Sequence, residues 1–166
     1  MQTLTFTASV TAWTALTINT INNEVFAAGD AAVTGGGQEV VVGQFTESGH
    51  LDTSFGNDGT VTLSVGNTRG AVGIYAAADG EVIVAGTGED SSGNSEFFLA
   101  DFQSGDESGD LITTFGTDGV YTTEFSGAQI YAAAMTLTPA GELLVVGQAE
   151  YSGGGTAFLV VEYDLG

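Results

Sequence analysis

Carboxylates are the chemically active groups that this sequence supplies in number. The 166-residue chain carries 21 acidic residues against one basic residue, Arg69, and one histidine, His50, for a formal net charge of −20. Two carboxylates could hydrolyse a glycosidic bond, but no pair is marked by its spacing. A Ser-His-Asp arrangement would have to use His50, and no G-x-S-x-G pattern occurs near a predicted strand end. We therefore expect a protein that is not an enzyme.

The strongest candidate for a cation site is the acidic loop that begins near the end of a predicted strand at Asp101. Its carboxylates belong to Asp101, Asp106, Glu107 and Asp110, with glycines between them. Calcium binds several oxygen ligands, which flexible acidic loops can supply. These four residues form the predicted calcium site, although their spacing follows no known calcium motif. The alternative is a solvated acidic loop, and no other cofactor is predicted.

The scarcity of basic residues excludes two classes of partner. Binding to nucleic acid and attraction to anionic membranes both depend on lysine and arginine. No apolar run approaches the roughly 20 residues that a membrane-spanning helix needs. The chain also lacks cysteine, so that disulfides and cysteine-ligated zinc are excluded. We expect no nucleic-acid partner and no membrane insertion.

Three copies of one sequence unit fill the chain and must position these groups. The segment LDTSFGNDG at 51–59 returns as LITTFGTDG at 111–119. The segment GEVIVAG at 80–86 returns as GELLVVG at 141–147 and has an earlier counterpart, NEVFAAG, at 23–29. Such internal repetition is typical of solenoids and propellers. It predicts a single repeat domain over 1–166, with copies at about 1–50, 51–110 and 111–166.

Each copy contains four short runs rich in β-branched and aromatic residues, which predict strands. In the second copy they fall at 59–65, 71–78, 81–87 and 96–102. Tight hairpin turns are expected at Asn22-Asn23, Asp79-Gly80 and Ala140-Gly141. Four antiparallel strands per repeat are typical of a propeller blade. The predicted fold is all-β, with three four-stranded antiparallel blades of β-propeller type.

These motifs resemble the delta-60 repeat of bacterial, often surface-associated, proteins. The likeness rests on LDTSFG-x-x-G at 51–59 followed by DGEVIVAG at 79–86, and it covers nearly the whole chain. It implies propeller-like β domains that serve as a scaffold, and it carries no reaction. The chain departs from the family at two repeated positions. At the position where the family usually has lysine, this chain has Glu24, Glu81 and Glu142. At the position where the family usually has arginine, it has Gln44, Asp101 and Glu162.

Several other side chains invite a functional and a structural interpretation. The Asp52 side chain is expected to bond its own turn, and four apolar residues are expected in the core between repeats: Leu51, Phe55, Leu111 and Phe115. Arg69 is expected to be an exposed charge. Five aromatic residues could stack on sugars, although packing is the expected role: Trp13, Tyr75, Tyr121, Tyr131 and Tyr151.

Three blades pose a problem of closure, because propellers close with about four to eight. Open faces and unpaired strand edges promote association with other chains. Two chains could form a six-bladed ring, the chain could be part of a longer propeller, or subunits could add end to end into a filament. We expect a structural module, extracellular or on the cell surface, that self-associates through blade edges into a ring or filament. The alternative is a glycan- or ligand-binding propeller, such as a lectin-like adhesin module.

Overall fold

A computed structural model describes residues 10–33, 37–104 and 109–165. This part of the chain is 65% strand and contains no helix, which confirms the predicted all-β class. No helix in it could therefore cross a membrane. Its strands are β1 (Val10–Ile18), β2 (Val25–Ala32), β3 (Gln38–Phe45), β4 (Thr60–Thr68), β5 (Gly70–Ala76), β6 (Glu81–Glu89), β7 (Ser95–Gln103), β8 (Val120–Glu124), β9 (Ala128–Leu137), β10 (Leu143–Tyr151) and β11 (Gly155–Tyr163).

The strands form three antiparallel groups in chain order. Sheet 1 contains β1–β4, sheet 2 contains β5–β8, and sheet 3 contains β9–β11. A single parallel bridge between Gly66 and Glu89 links sheets 1 and 2, so that eight strands form one continuous sheet. This sheet curls into a half-barrel.

The outer strands of sheets 1 and 2 each come from the following sequence repeat. The prediction grouped 59–65 with the strands of the second repeat, but β4 pairs with β3 of the first repeat, with Val42 opposite Val61. In the same way, β8 pairs with β7. The cause is the segment 51–59, which turns the chain back along β3. Gly59 accepts a hydrogen bond from the Gln44 amide at 3.2 Å, and the Asp52 amide donates to Gln44 at 2.9 Å.

The predicted turns are confirmed, since each of the three dipeptides lies between consecutive strands of a hairpin. The repeated Asp-Gly pairs at 58–59 and 118–119 close the segments that precede β4 and β8. Asp58 and Asp118 both have φ of 52°, and Gly59 and Gly119 have φ of 92° and 91°. Left-handed backbone of this kind is accessible to glycine and tolerated by aspartate.

Sheet 2 is buried on both faces, and two apolar clusters result. Alternate residues along β6 and β7 face opposite sides, as strand geometry requires. One set packs against sheet 1: Val82, Val84, Phe98, Ala100 and Phe102. The other set packs against sheet 3: Ile83, Ala85, Phe97 and Leu99. Phe55 is fully buried in the first cluster, with Leu111 packed against it, and Phe115 packs against the second, as the sequence predicts.

Candidate functional site

The side of sheet 3 that faces away from sheet 2 is apolar and exposed. Alternation along β10 and β11 directs Leu143 and Val145 to the core and their neighbours outward. The outward residues, which we call the sheet-3 face, are Ala134, Leu144, Val146, Phe158, Val160 and Glu162. Phe158 is 97% exposed and Val160 is 67% exposed. An exposed group of large apolar side chains is typical of an interaction surface.

The sheet-3 face repeats a surface that is buried inside the same molecule. Val146, Phe158 and Val160 stand 61 residues after Ala85, Phe97 and Leu99, in matching register on the second and third strands of their sheets. Those three residues of sheet 2 are completely buried against sheet 3. The sheet-3 face therefore carries large apolar residues at the same repeat positions through which sheet 2 packs against sheet 3.

The opposite end of the chain presents a second apolar surface, on the side of sheet 1 that faces away from sheet 2. This sheet-1 face consists of Trp13, Leu16, Ile18, Val25, Ala27 and Phe45. Leu16 is 66% exposed. A groove of about 580 Å³ crosses the face, lined by five of these residues and by the loop that follows β3.

An aromatic pair forms one wall of this groove. The rings of Trp13 and Phe45 meet edge to face, with centroids 5.8 Å apart. Trp13 lies over Gly43, where a Cβ would come 2.8 Å from the indole Cη2. The absence of a side chain at residue 43 therefore lets the indole approach the sheet closely. Loop residues Thr46 and Glu47 supply the polar groups of the groove.

The sheet-1 face also has an equivalent inside the molecule. Val25, Ala27 and Phe45 stand 57 residues before Val82, Val84 and Phe102, the residues with which sheet 2 packs on sheet 1. The two end faces thus match, by repeat position, the two sides of a joint that the chain forms twice, once between sheets 1 and 2 and once between sheets 2 and 3.

One strand edge differs from its equivalents. β3 is hydrogen-bonded to β2 on one side and to β4 on the other. In the same way, β7 lies between β6 and β8. Among the described strands, β11 pairs only with β10. Within the described part of the chain, the nine residues of β11 therefore have no strand on their second edge, next to the exposed side chains of Phe158 and Val160. An edge of this length is a template for another strand.

A polar side chain is buried at the same repeat position in each of the two internal joints. Gln44 and Asp101 are both 2% exposed, and neither Gln44 Oε1 nor Asp101 Oδ1 has a hydrogen-bond partner within the described residues. Burial raises the pKa of Asp101, the nearby carboxylates of Glu81 and Asp79 add to the rise, and together these effects bring it to about 7. Glu162 holds the equivalent position on the sheet-3 face, where it is exposed.

The predicted calcium loop is described only in part. Asp101 lies within β7 and points into the core between sheets 2 and 3, whereas Asp110 is exposed and its carbonyl accepts a hydrogen bond from the Gln103 amide at 2.8 Å. Asp106 and Glu107 lie outside the described residues. The described ranges hold no cluster of three or more histidine, cysteine, aspartate or glutamate side chains suited to a metal.

Two further predictions concern Asp52 and Arg69. Asp52 bonds its own turn, as expected: its Oδ1 accepts from the Ser54 amide at 3.1 Å and from the Ser54 hydroxyl at 2.5 Å. Arg69 is exposed, as expected, and its guanidinium also forms an ion pair with Glu89 and lies 5.8 Å from the ring centroid of Tyr131. It thereby links sheet 2 to sheet 3. The hydrogen bond between them raises the pKa of Arg69 and lowers that of Glu89.

The aromatic residues considered for sugar stacking are spread over the molecule. Tyr75 packs against the cluster between sheets 2 and 3, and Tyr121 meets Phe115 edge to face at 4.8 Å. Tyr151 is exposed at the end of β10. The structure therefore places only Trp13 of this set in the apolar groove.

Sequence reasoning singled out neither end face, although the signal was present. Phe158 and Val160 lie in the segment AFLVVEY at 157–163, which corresponds in the repeat to EFFLADF at 96–102, so that Phe97 and Leu99 are their equivalents. The sequence does not show toward which side of the sheet each of these side chains points. That follows only from strand register, since a shift of one residue exchanges the two sides.

Comparison with known proteins adds no relative. No protein-family model matches the chain, and no curated protein matches it significantly.

Proposed function

We propose that this chain is a non-enzymatic structural module, extracellular or on the cell surface, that self-associates end to end into a ring or filament of propeller-type blades. The sheet-3 face of one copy packs on the sheet-1 face of the next. The delta-60 resemblance agrees with a scaffold of this kind.

The observation that carries this proposal is the equivalence between exposed Phe158 and buried Phe97. A fully exposed phenylalanine loses the roughly 1.5–3 kcal/mol that burial of its side chain contributes. Phe97 obtains that stabilisation from sheet 3, and Phe158 would obtain it from a second copy. Because the joint brings together two different surfaces, the contact is heterologous, and its rotation decides between a closed ring and an open filament.

The charge of the chain sets the conditions under which the joint forms. A formal charge of −20 on each copy opposes association through repulsion. Dissolved salt screens such repulsion over a Debye length of about 10 Å at 0.1 M ionic strength. Association should therefore strengthen as the salt concentration rises, through screening and through the salting-out of apolar surface.

Sedimentation velocity tests the proposal directly. The wild-type chain should sediment as species well above 16.8 kDa, in proportions that rise with concentration. Phe158→Asp places a charge in the centre of the joint and should leave a monomer. Ser92→Asp adds the same charge at an exposed residue in the β6–β7 turn of sheet 2, the sheet that carries neither end face, and should assemble like the wild type. Wild-type chain that stays monomeric at every concentration would refute the proposal.

The groove favours a second candidate function, binding of a glycan or another small ligand. Trp13 and Phe45 supply aromatic surface, and Thr46 and Glu47 supply polar groups at its rim. Quenching of tryptophan fluorescence by added oligosaccharides would support this function. Quenching that also dissolves the assemblies would show that ligand and second copy compete for one surface.

A further inference from the structure

We propose that Asp101 and Glu81 bind a calcium ion in a small cavity at one end of the joint between sheets 2 and 3. The site lies within a single chain, so that this inference goes beyond the proposed function and does not rest on it. Of the four residues in the calcium loop predicted from the sequence, the site uses Asp101 alone.

The cavity has the size and the lining that a hydrated ion needs. Its volume is about 150 Å³. Glu81, Asp101 and Thr114 supply its polar lining, and four apolar residues form the rest. Since one water molecule takes about 30 Å³ in the liquid, the cavity can hold a calcium ion together with a few waters.

Strand register places the two carboxylates beside each other. Asp101 on β7 lies opposite Ile83 on β6, and Glu81 stands two residues before Ile83, so that both acidic side chains lie on the same side of the sheet. The Cβ atoms of such diagonal neighbours are about 7–8 Å apart, a distance that two carboxylate side chains can bridge through one ion. Asp101 is also held firmly, because its amide donates to the Gly119 carbonyl at 3.1 Å and its carbonyl accepts from the Ile112 amide at 2.9 Å.

The Asp101 carboxylate is buried at the cavity without compensation. The residue is 2% exposed, and its Oδ1 has no hydrogen-bond partner among the described residues. Burial and the neighbouring carboxylates of Glu81 and Asp79 raise the pKa of Asp101, while the backbone amide of Phe102 acts in the opposite direction. Burial and Asp79 also raise the pKa of Glu81. A bound cation relieves both the lost hydration and the repulsion between the carboxylates.

No basic side chain of the protein can serve as this counter-charge. Arg69 is the only lysine or arginine in the chain, and it pairs with Glu89, eight residues from Glu81 at the far end of β6. The single histidine, His50, follows β3 of sheet 1, where its Nδ1 lies 3.1 Å from the hydroxyl of Ser48. The positive charge at Asp101 therefore comes from an ion in solution.

The donor set selects calcium among the common cations. Two carboxylates and the hydroxyl of Thr114 are all oxygen donors, which hard cations prefer, whereas zinc is usually bound through nitrogen and sulfur. Calcium accepts six to eight oxygens in flexible geometry, including waters, whereas magnesium demands a nearly ideal octahedron. Because the site has two carboxylates and not three, we expect weak binding, in the range of about 0.1–1 mM that extracellular calcium modules show.

The joint between sheets 1 and 2 supplies an internal comparison. Gln44 stands at the repeat position of Asp101, and Glu24 at that of Glu81. A neutral amide thus replaces the buried carboxylate, and Gln44 needs no counter-charge. We therefore expect one calcium site per chain, in the joint between sheets 2 and 3.

Thermal unfolding of dilute full-length protein tests the site, in calcium and in chelator, with about 0.15 M KCl to screen surface charge. Calcium at about ten times its dissociation constant should raise the unfolding temperature of the wild type by about 3–6 °C. Asp101→Asn should lose this response and still fold, because Gln44 shows that an amide fits the position. Glu124→Gln is the matched control, since it removes one charge at an exposed residue opposite Glu96, five residues along β7 from Asp101. It should respond like the wild type.

Amide resonances in nuclear magnetic resonance spectra locate the ion. Added calcium should shift the signals of residues 81, 101 and 112–115 with a common dissociation constant. Equal thermal responses of the wild type and Asp101→Asn, or shifts scattered over exposed acidic residues, would mean that calcium only screens the net charge and would overturn the site. A wild type that does not respond up to about 10 mM, tenfold above the weakest expected constant, would overturn it as well. Self-association is measured separately, so that none of these outcomes decides the proposed function.

Discussion

The ring of Phe97 on β7 lies against Gly147 on β10, across the joint between sheets 2 and 3. A Cβ at residue 147 would come 2.7 Å from Cζ of the ring and would also collide with the carbonyl oxygen of Tyr131. The phenylalanine of one sheet therefore fits against a glycine of the next. The repeat supplies the same two residue types at the ends of the chain, as Phe158 on the sheet-3 face and Gly29 in β2 of sheet 1.

Gly147→Ala should destabilise the monomer by about 2 kcal/mol or more, because a methyl group forced into a packed joint must displace backbone. Chemical denaturation with circular dichroism measures this difference. Gly153→Ala is the control, since a Cβ at that residue meets no atom within 4 Å. Its stability should stay within about 1 kcal/mol of wild type. Equal stabilities of the two variants would contradict the close approach of Phe97 to Gly147.

Phe97→Ala and Phe158→Ala compare the same side chain in a formed joint and in an open one. Phe97→Ala should lower the free energy of unfolding by about 3–5 kcal/mol, as large truncations in a core do. Phe158→Ala should change it by less than about 0.5 kcal/mol in dilute monomer, the usual range for surface substitutions. The same substitution should nevertheless reduce self-association. A large loss of monomer stability at Phe158 would mean that this residue is buried within one chain.

Asp101→Asn should change the pH dependence of stability. Since burial raises the pKa of Asp101 to about 7 from its ordinary 3.8, the folded chain holds a proton that the unfolded chain has released. Stability therefore falls as the pH rises between these two values and is constant for this group above pH 7.

The asparagine variant should be more stable than wild type at pH 8, by on the order of 2 kcal/mol, and this difference should vanish near pH 4. Denaturation curves collected across this pH range give both stabilities. Gln44 shows that a neutral amide is accommodated at the equivalent place in sheet 1. Parallel stability profiles for the two proteins would refute the raised pKa of Asp101.

Trp13 provides an internal probe of the sheet-1 face, because it is the only tryptophan in the chain. When a second copy covers the groove, the half-buried indole leaves water, and its emission should shift to shorter wavelength as the protein concentration rises. Phe158→Asp should abolish this shift without touching the groove itself. Emission that stays constant while sedimentation reports assembly would place the contact elsewhere.

The sequence predicted the all-β class and the hairpin turns because both depend on local signals. Strand runs and turn dipeptides such as Asp79-Gly80 act over a few residues. The pairing of β4 with β3 was not predicted, since it depends on how the segment 51–59 folds back over a longer distance. Hydrogen bonds from Asp52 and Gln44 fix that course, and sequence repetition alone does not reveal the strand beside which a run will lie.

The candidate site was harder to predict than the fold for a related reason. Phe97 and Phe158 have the same local sequence context, yet one is buried and the other exposed. The difference is that sheet 3 covers Phe97, whereas no described sheet covers Phe158, and local sequence does not show which sheet will cover a residue. The ion pair of Arg69 with Glu89 was difficult to predict for a similar reason. Arg69 lies between β4 and β5, whereas Glu89 lies on β6 and Tyr131 on β9, far away in the sequence.

Disulfide trapping between two cysteine variants tests the central claim most directly. Gly73 of sheet 2 lies beside Met135 of sheet 3, with a Cβ at 73 only 2.6 Å from that of Met135. The equivalent pair across the proposed joint is Ala134 of one copy and Leu16 of the next. The chain has no cysteine of its own, so Ala134→Cys and Leu16→Cys each carry a single thiol.

Oxidation of an equimolar mixture of the two variants should give a disulfide-linked heterodimer as the main product, because the close Cβ atoms allow a disulfide. Each variant alone should remain largely uncrosslinked. Homodimers formed as readily as the heterodimer, or assemblies that contain no crosslink between residues 16 and 134, would contradict the end-to-end joint.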